Sequence, residues 1–421
     1  MPHMLGIFSS LVFWLIFFFV LISPQFLFVP YELSVVVVPV AILGILEIII
    51  KGKLSANILY FVLPWGLSFG YVLTLYILQG LSDSEFVVGV GKLPFLFFAA
   101  HFIVNRLCKI DKFSALTIKR LSNLIFLCIL AQAIAMTLSY IHPGFNSLLS
   151  LFVMKEDLDA RVGGFQSLGR DSVSMNQAAG AFFICLVMLF RKERRTTRNL
   201  IYYCFGLFLI LGSSVLAGRT GIFLFVASGV LFLGSKFLPV LISRPAALAK
   251  SLFLMFPAIF IILSIYPFLV NYANGIVVLD YSDPVYRLLE PLRKQGEISS
   301  LEKLKGDMVI FPEASWHFLL GDGYYGRSEG VYVSSDIGYI RMIYGMGLIG
   351  LVLYLLIPAS LALNVLLLGV SPLIKVAFVS FLIFGVLGHL KIVYLSSGPF
   401  FFLLSIFYFL VIKLTQRRVI A

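Results

Sequence analysis

The chain has 421 residues, of which 60% are hydrophobic and only 12% are charged, and its formal net charge is +12. A water-soluble domain is typically about one quarter charged, so this composition excludes an ordinary soluble protein. The apolar residues form runs of about 17 to 23 residues, long enough to cross a bilayer as helices. They lack the alternation of a membrane β-barrel. The sequence predicts an all-α polytopic membrane protein of about twelve transmembrane helices.

The predicted spans follow one another along the whole chain, and residues 1–421 are predicted to form a single transmembrane domain. In chain order they are Ile7–Ser23, Leu33–Ile50, Ala56–Leu78, Phe86–Asn105, Leu121–Ile141, Met175–Phe190, Leu200–Ala217, Gly221–Gly234, Ser251–Val270, Ile337–Ile357, Lys375–Tyr394 and Pro399–Ile412. The first run has no basic segment before it and no small-residue cleavage site after it, so we expect a retained helix. Leu361–Val370 either extends the tenth span or forms a short interfacial piece.

Basic residues separate to one side when successive loops are assigned to opposite faces of the membrane. That side receives Lys51, Lys53, Arg106, Lys109, Lys112, Lys119, Arg120, Arg191, Arg198, Lys236, Arg244, Lys250, Arg417 and Arg418. Because positive residues concentrate on the cytoplasmic side, we expect both termini to be cytoplasmic. The same rule accounts for the net positive charge, so that charge does not indicate nucleic-acid binding. The outer side receives two larger loops, 142–175 and 271–336. Apolar spacing in the second loop predicts short amphipathic helices on the membrane surface.

Arginines beside glycines characterise the outer side. Arg161 and Arg170 flank a glycine-containing stretch of the first loop, and Arg219 stands between Gly218 and Thr220 at the outer end of two spans. Glycine lets the backbone approach an anion, and guanidinium groups bind phosphate with paired hydrogen bonds. These arginines are therefore candidate phosphate-binding residues. The alternative is an ordinary hairpin loop whose arginines reach lipid headgroups.

A further group of polar residues precedes the tenth span. Gly321-Asp-Gly indicates a turn, and Asp336 is interpreted either as the N-cap of the following helix or as a general base. His317 is the histidine of the long outer loop, and a polar position on an interfacial helix is the alternative to a binding role. His101 and His389 lie within or at the ends of apolar runs and are expected to pack or to lie at the membrane interface.

These stretches together resemble the O-antigen polymerase family (Wzy) and, more distantly, the O-antigen ligases. The resemblance rests on the Arg161-x-Gly-Gly loop ending in Asn176, on Gly-Arg219-Thr-Gly, and on Gly321-Asp-Gly-Tyr-Tyr-Gly followed by Asp336-Ile-Gly-Tyr-Ile-Arg341. Some members of the polymerase family carry an arginine with a glycine eleven positions later in each of two periplasmic loops. Arg327 and Gly338 match that spacing, whereas Arg161 does not, because position 172 is serine. The ligases resemble the chain at the last motif but have His-Asn where this chain has Ser-Asp.

The resemblance implies a GT-C-like enzyme of the bacterial inner membrane that polymerises undecaprenyl-pyrophosphate-linked oligosaccharide repeat units at the periplasmic face. The growing chain would be the donor and a new repeat unit the acceptor, with Asp336 as the base. The expected pyrophosphate- or sugar-binding residues are Arg161, Arg170, Arg219, Arg327, Arg287, Arg341 and His317. Neither a metal nor another cofactor is expected. The implied partners are lipid-linked oligosaccharides, membrane lipids and a chain-length regulator of the Wzz type.

Two other functions remain open from the sequence. An O-antigen ligase would use related substrates, but the missing ligase-type histidine favours the polymerase. A flippase for lipid-linked saccharides would also need basic residues to neutralise pyrophosphate. A flippase is expected to hold those residues inside its helical bundle, whereas here they lie in outer loops and the apolar runs are nearly uncharged.

Overall fold

The computed structural model describes residues 2–22, 32–50, 55–79, 85–110, 115–151, 165, 170–189, 197–217, 219–243, 309, 311–312, 314–323, 335, 337–395 and 397–420. The fold is 90% helix, without strands in the described part. The all-α class predicted from the apolar runs is therefore confirmed. The predicted ninth span and most of the loop 271–336, including its predicted amphipathic segments around 285–292 and 298–308, lie outside the described residues.

The helices are numbered here in chain order. The first seven are α1 (Pro2–Ile22), α2 (Glu32–Ile50), α3 (Ala56–Gln79), α4 (Glu85–Gly91), α5 (Leu93–Ile110), α6 (Ala115–Ile141) and α7 (Pro143–Ser150). The others are α8 (Arg170–Leu189), α9 (Thr197–Ala217), α10 (Arg219–Ser243), α11 (Ser315–Leu320), α12 (Gly338–Leu367), α13 (Pro372–His389) and α14 (Gly398–Ile420).

Six helical segments of the described chain are long and apolar enough to cross a membrane. They are Ala56–Leu78, Phe86–Ile110, Thr117–Ile141, Gly338–Leu367, Pro372–His389 and Gly398–Gln416. Shorter apolar helical segments are Leu11–Ile22, Val36–Ile50, Val173–Met188 and Ile201–Ser214. This set of helices is consistent with a multi-pass membrane protein.

Helix α14 forms the centre of the bundle and α3 part of its periphery. In α14 every residue from Phe400 to Ile412 is buried, as expected for a helix that is apolar all round. On α3, by contrast, Leu63 is 63% exposed and Ile77 is 67% exposed. A water-soluble monomer rarely exposes so many large apolar side chains, whereas contact with lipid accommodates them.

Polar contacts lie near one end of the bundle, where α2, α5 and α12 end and α3 begins. Lys109 Nζ pairs with Glu47 Oε1 at 2.7 Å. Tyr408 donates a hydrogen bond to the Asn57 carbonyl oxygen at 2.6 Å, and Asn364 Nδ2 donates to Asn57 Oδ1 at 3.0 Å. The contacts join residues far apart in the sequence, so they fix the register of these helices against one another.

Several helices begin or end away from their predicted positions. Helix α8 begins at Arg170, inside the predicted loop 142–175, and α10 extends over Arg219–Ser243. Helix α12 continues to Leu367, so most of Leu361–Val370 extends the tenth span. Within α12 the backbone breaks at Gly347, whose φ is +67°. A left-handed residue of this kind interrupts the regular hydrogen bonding of a helix.

Candidate functional site at one end of the bundle

The opposite end of the bundle, called the motif end, contains the starts of α8, α10 and α12 and the ends of α9 and α13. The start of α12 lies directly on the turn between α13 and α14. A Cβ on Gly338 would lie 2.6 Å from the His389 carbonyl oxygen, so only glycine permits this approach. Tyr339 donates a hydrogen bond from its hydroxyl to the Val386 carbonyl oxygen at 3.1 Å.

His389 holds the turn between α13 and α14 in place. Its side chain is fully buried, and Nδ1 accepts backbone hydrogen bonds from Tyr394 at 3.1 Å and from Leu395 at 3.2 Å. Nε2 lies 2.9 Å from Met342 Sδ. A buried imidazole committed to backbone groups has a structural role, which agrees with the packing role expected for His389.

The same turn connects α12 to α8, and α8 connects in turn to α9 and α10. Tyr394 donates its hydroxyl hydrogen to the Met175 carbonyl oxygen at 2.9 Å. The next carbonyl back along the chain, that of Ser174, accepts a hydrogen bond from Ser214 Oγ at 3.2 Å. A Cβ on Gly221 would lie 2.7 Å from Ser174 Cβ, so the start of α10 packs closely against α8. Three motif-bearing helix starts therefore meet at one end of the bundle.

A small pocket lined by amide side chains lies just below the motif end. Gln132, Asn176 and Gln177 converge in a lining otherwise formed by Leu21, Ile22, Ile129 and Leu403. Gln177 Oε1 accepts a hydrogen bond from Ser213 at 2.6 Å. Asn176 Oδ1 is buried and has no hydrogen-bond partner among the described residues. An uncharged group that carries a hydrogen-bond donor, such as water or a hydroxyl, fits this lining.

Gly321-Asp322-Gly323 forms a turn that docks on the break in α12. The Asp322 N–H donates to the Tyr344 carbonyl oxygen at 2.7 Å, and the Gly323 N–H donates to the Gly345 carbonyl oxygen at 3.1 Å. Both glycines have positive φ, at 86° and 73°. The backbone break thus exposes carbonyl oxygens that the turn satisfies, and the predicted turn at this motif is confirmed.

Asp322 also forms a close pair with His317. The distance between Asp322 Oδ1 and His317 Nδ1 is 2.6 Å, and the side chains are 19% and 33% exposed. Burial raises the pKa of the Asp322 carboxyl above its ordinary value, and the interaction with His317 opposes that rise. Helix α11, which carries His317, is tied to α3 by Tyr71, whose hydroxyl donates to the Leu320 carbonyl oxygen at 2.9 Å.

Four predicted site residues lie in the described chain. Arg170 and Arg219 are the first residues of α8 and α10, so both stand at the motif end. Arg341 is in the first turn of α12 and is partly buried. His317 is on α11. The remaining predicted residues, Arg161, Arg287, Arg327 and Asp336, lie outside the described residues.

The N-cap of α12 differs from the predicted one. The cap position is Ile337, one residue after Asp336, and its own side chain makes no capping hydrogen bond. Ser335 Oγ accepts a hydrogen bond from the Ile337 N–H at 3.2 Å. Ser335, two residues before Ile337, thus supplies a side-chain contact at the start of α12.

Helix dipoles and arginines coincide at the motif end. The starts of α8, α10 and α12 are the positive ends of helix dipoles, and an arginine occurs in the first turn of each helix, followed on α8 by Asp171. Helix dipoles and arginines both favour negative charge, and Asp171 opposes part of this effect. Chemically, such an arrangement suits binding of phosphate or pyrophosphate.

Sequence reasoning missed Asp322, Gln132 and Gln177 as polar groups of this region. Gly321-Asp-Gly by itself indicates only a turn, although Asp322 follows His317 by five residues and stands between two glycines. The two glutamines lie within apolar runs, where an uncharged polar residue gives little signal. A comparison of the chain with protein-family models and with curated proteins finds no match.

Proposed function

We propose that the chain is a membrane-bound glycosyltransferase that polymerises undecaprenyl-pyrophosphate-linked oligosaccharide repeat units. One observation carries this proposal: the starts of α8, α10 and α12, each with an arginine in its first turn, lie together at one end of a bundle of apolar helices. A lipid-linked pyrophosphate presents its charge at the level where a membrane helix begins. Helix N-termini and arginines favour an anion at that level.

The reaction transfers the growing chain from its lipid carrier to a new repeat unit. The acceptor hydroxyl oxygen forms a bond to C1 of the donor sugar while the bond from C1 to the pyrophosphate oxygen breaks. The bonding electrons leave with the pyrophosphate, and the hydroxyl proton passes to Asp336 as the candidate base. Arg161, Arg170, Arg219 and Arg327 stabilise the leaving pyrophosphate, because preorganised charge at a leaving group is a large catalytic term.

The finer topology belongs to the same proposal. About twelve spans cross the bacterial inner membrane, both termini are cytoplasmic and the motif end is periplasmic. Arg287 and Arg341 supply further positive charge. The partners are lipid-linked oligosaccharides, surrounding lipids and a chain-length regulator of the Wzz type.

The test is a gel of lipopolysaccharide from a strain that lacks this gene. A lipid A core that carries one repeat unit would support the proposal, since export and ligation then work while polymerisation fails. Bare core would overturn it and indicate a flippase or a ligase. Accumulation of polymer on the carrier lipid would identify the ligase among these two, and complementation with the intact gene controls for secondary effects.

A further inference from the structure

The pairing of His317 with Asp322 leaves one imidazole nitrogen for another partner. Nδ1 is the nitrogen that lies 2.6 Å from Asp322 Oδ1. A carboxylate accepts hydrogen bonds, so it stabilises the tautomer with hydrogen on Nδ1. In the neutral ring Nε2 then carries a lone pair. It can accept a hydrogen bond but cannot donate one.

The position of Asp322 is set by the backbone of α12. Its N–H donates to the Tyr344 carbonyl oxygen at 2.7 Å, and the neighbouring Gly323 N–H donates to the Gly345 carbonyl oxygen at 3.1 Å. The Gly321 N–H in turn donates to the His317 carbonyl oxygen at 2.8 Å. The carboxylate and the ring are thus fixed by one set of backbone contacts. A preorganised pair of this kind orients the imidazole without further ordering cost.

The short helix that carries His317 has side chains of the kind expected at a membrane–water interface. Trp316 is 58% exposed and Leu319 is 46% exposed on the same short helix. The Trp316 ring lies edge-on to the His317 ring, with centroids 3.6 Å apart. Exposed tryptophan beside exposed leucine is typical of segments at headgroup level, where a saccharide attached to a lipid pyrophosphate begins.

The pyrophosphate and the saccharide of such a substrate differ in the hydrogen bonds that they can make with Nε2. Phosphate oxygens of a pyrophosphate are acceptors, so they find no donor at the lone pair of Nε2. Sugar hydroxyl groups, by contrast, donate to a nitrogen lone pair. The pair is therefore suited to carbohydrate and poorly suited to pyrophosphate.

We propose that His317 Nε2 accepts a hydrogen bond from a sugar hydroxyl of the lipid-linked saccharide, and that Asp322 is the positioning residue that holds the ring for it. This inference rests on the proposed function and assigns the saccharide, as distinct from the pyrophosphate, to this part of the protein. It divides the predicted binding residues into two groups: the arginines bind the carrier's charge, and His317 recognises the sugar.

The experiment measures binding of two probes to the purified full-length protein in lipid nanodiscs. One probe is undecaprenyl pyrophosphate without sugar, and the other is the lipid-linked repeat unit extracted from the strain that lacks the gene. We expect His317→Phe and Asp322→Ala to weaken binding of the repeat unit about tenfold, the effect of one lost hydrogen bond. Binding of the sugar-free probe should stay unchanged.

Two controls keep the outcome interpretable. Asp322→Asn retains both the backbone contacts and an oxygen that accepts from Nδ1–H, so it should bind the repeat unit more tightly than Asp322→Ala. Thermal melting of each variant checks the fold. The inference is overturned if the variants bind both probes equally more weakly, or bind both as tightly as the wild type does. The proposed function still stands in that case, provided that the wild-type protein polymerises. A wild-type protein that binds neither probe overturns the proposed function and this inference with it.

Discussion

Gly321 and Gly347 pack backbone against backbone where the turn meets the break in α12. A Cβ on Gly321 would lie 2.6 Å from the Met346 carbonyl carbon, and a Cβ on Gly347 would lie 2.5 Å from the Gly321 nitrogen. Both residues have positive φ, at 86° and 67°. Glycine is therefore required at both positions. Each residue adopts a positive φ, and a side chain on either one would clash with the backbone at the other.

We expect Gly347→Ala to destabilise the protein by at least about 1–2 kcal/mol, since a side chain in the left-handed region is strained even before the clash is counted. The measurement is thermal melting in detergent. Gly212→Ala is the matched control, because a Cβ at Gly212, within α9, meets nothing within 4 Å. If Gly347→Ala had the same melting temperature as the wild type, the close packing described for the turn would be contradicted.

His389→Leu should lower stability by about 2–4 kcal/mol, because the substitution leaves two buried backbone N–H groups without an acceptor. These are the N–H groups of Tyr394 and Leu395, at 3.1 and 3.2 Å from His389 Nδ1. The comparison is His142→Leu, which removes a single N-cap contact to Phe145 at the start of α7. A smaller loss is expected there, about 1 kcal/mol. Equal losses in the two variants would argue against the structural role of His389.

Arg219→Ala should abolish long polymer while protein level and membrane insertion stay normal. Removal of one preorganised charge at a leaving group typically costs about 100- to 1000-fold in rate. Lipopolysaccharide gels of the complemented deletion strain give the readout, with immunoblots for protein level. Arg198→Ala is the control, because Arg198 lies at the start of α9, away from the motif end, and it should leave polymer unchanged. Normal polymer in Arg219→Ala would remove this arginine from the site.

Asp336→Asn should reduce polymerisation at least about 100-fold if its carboxylate acts as the base. Ser335→Ala separates that role from helix capping, because Ser335 Oγ is the group that accepts from the Ile337 N–H. We expect the serine variant to lose some stability and to keep its activity. In vitro polymerisation with purified lipid-linked repeat units measures both variants. Full activity of Asp336→Asn would exclude this carboxylate as the base.

Much of the fold follows from local sequence. The apolar run from Phe400 to Ile412 predicts a membrane helix, and its lack of a polar face is consistent with the central position of α14. The start of α10 at Arg219 lies within two residues of its predicted position, because composition changes sharply there. Helix α8 begins at Arg170, five residues before the predicted span at Met175, because its first turn is polar and hydropathy gives no signal for it.

The helical membrane class and the position of Arg219 close to the start of a span follow from the local sequence, since both depend on neighbouring residues. Which helix starts meet is a property of the tertiary structure. Tyr394 reaches Met175, and Tyr71 reaches Leu320, across separations of more than 200 residues. The pairing of His317 with Asp322 likewise depends on the break in α12 that receives the turn. Such contacts arise from packing of whole helices, and no local pattern encodes them.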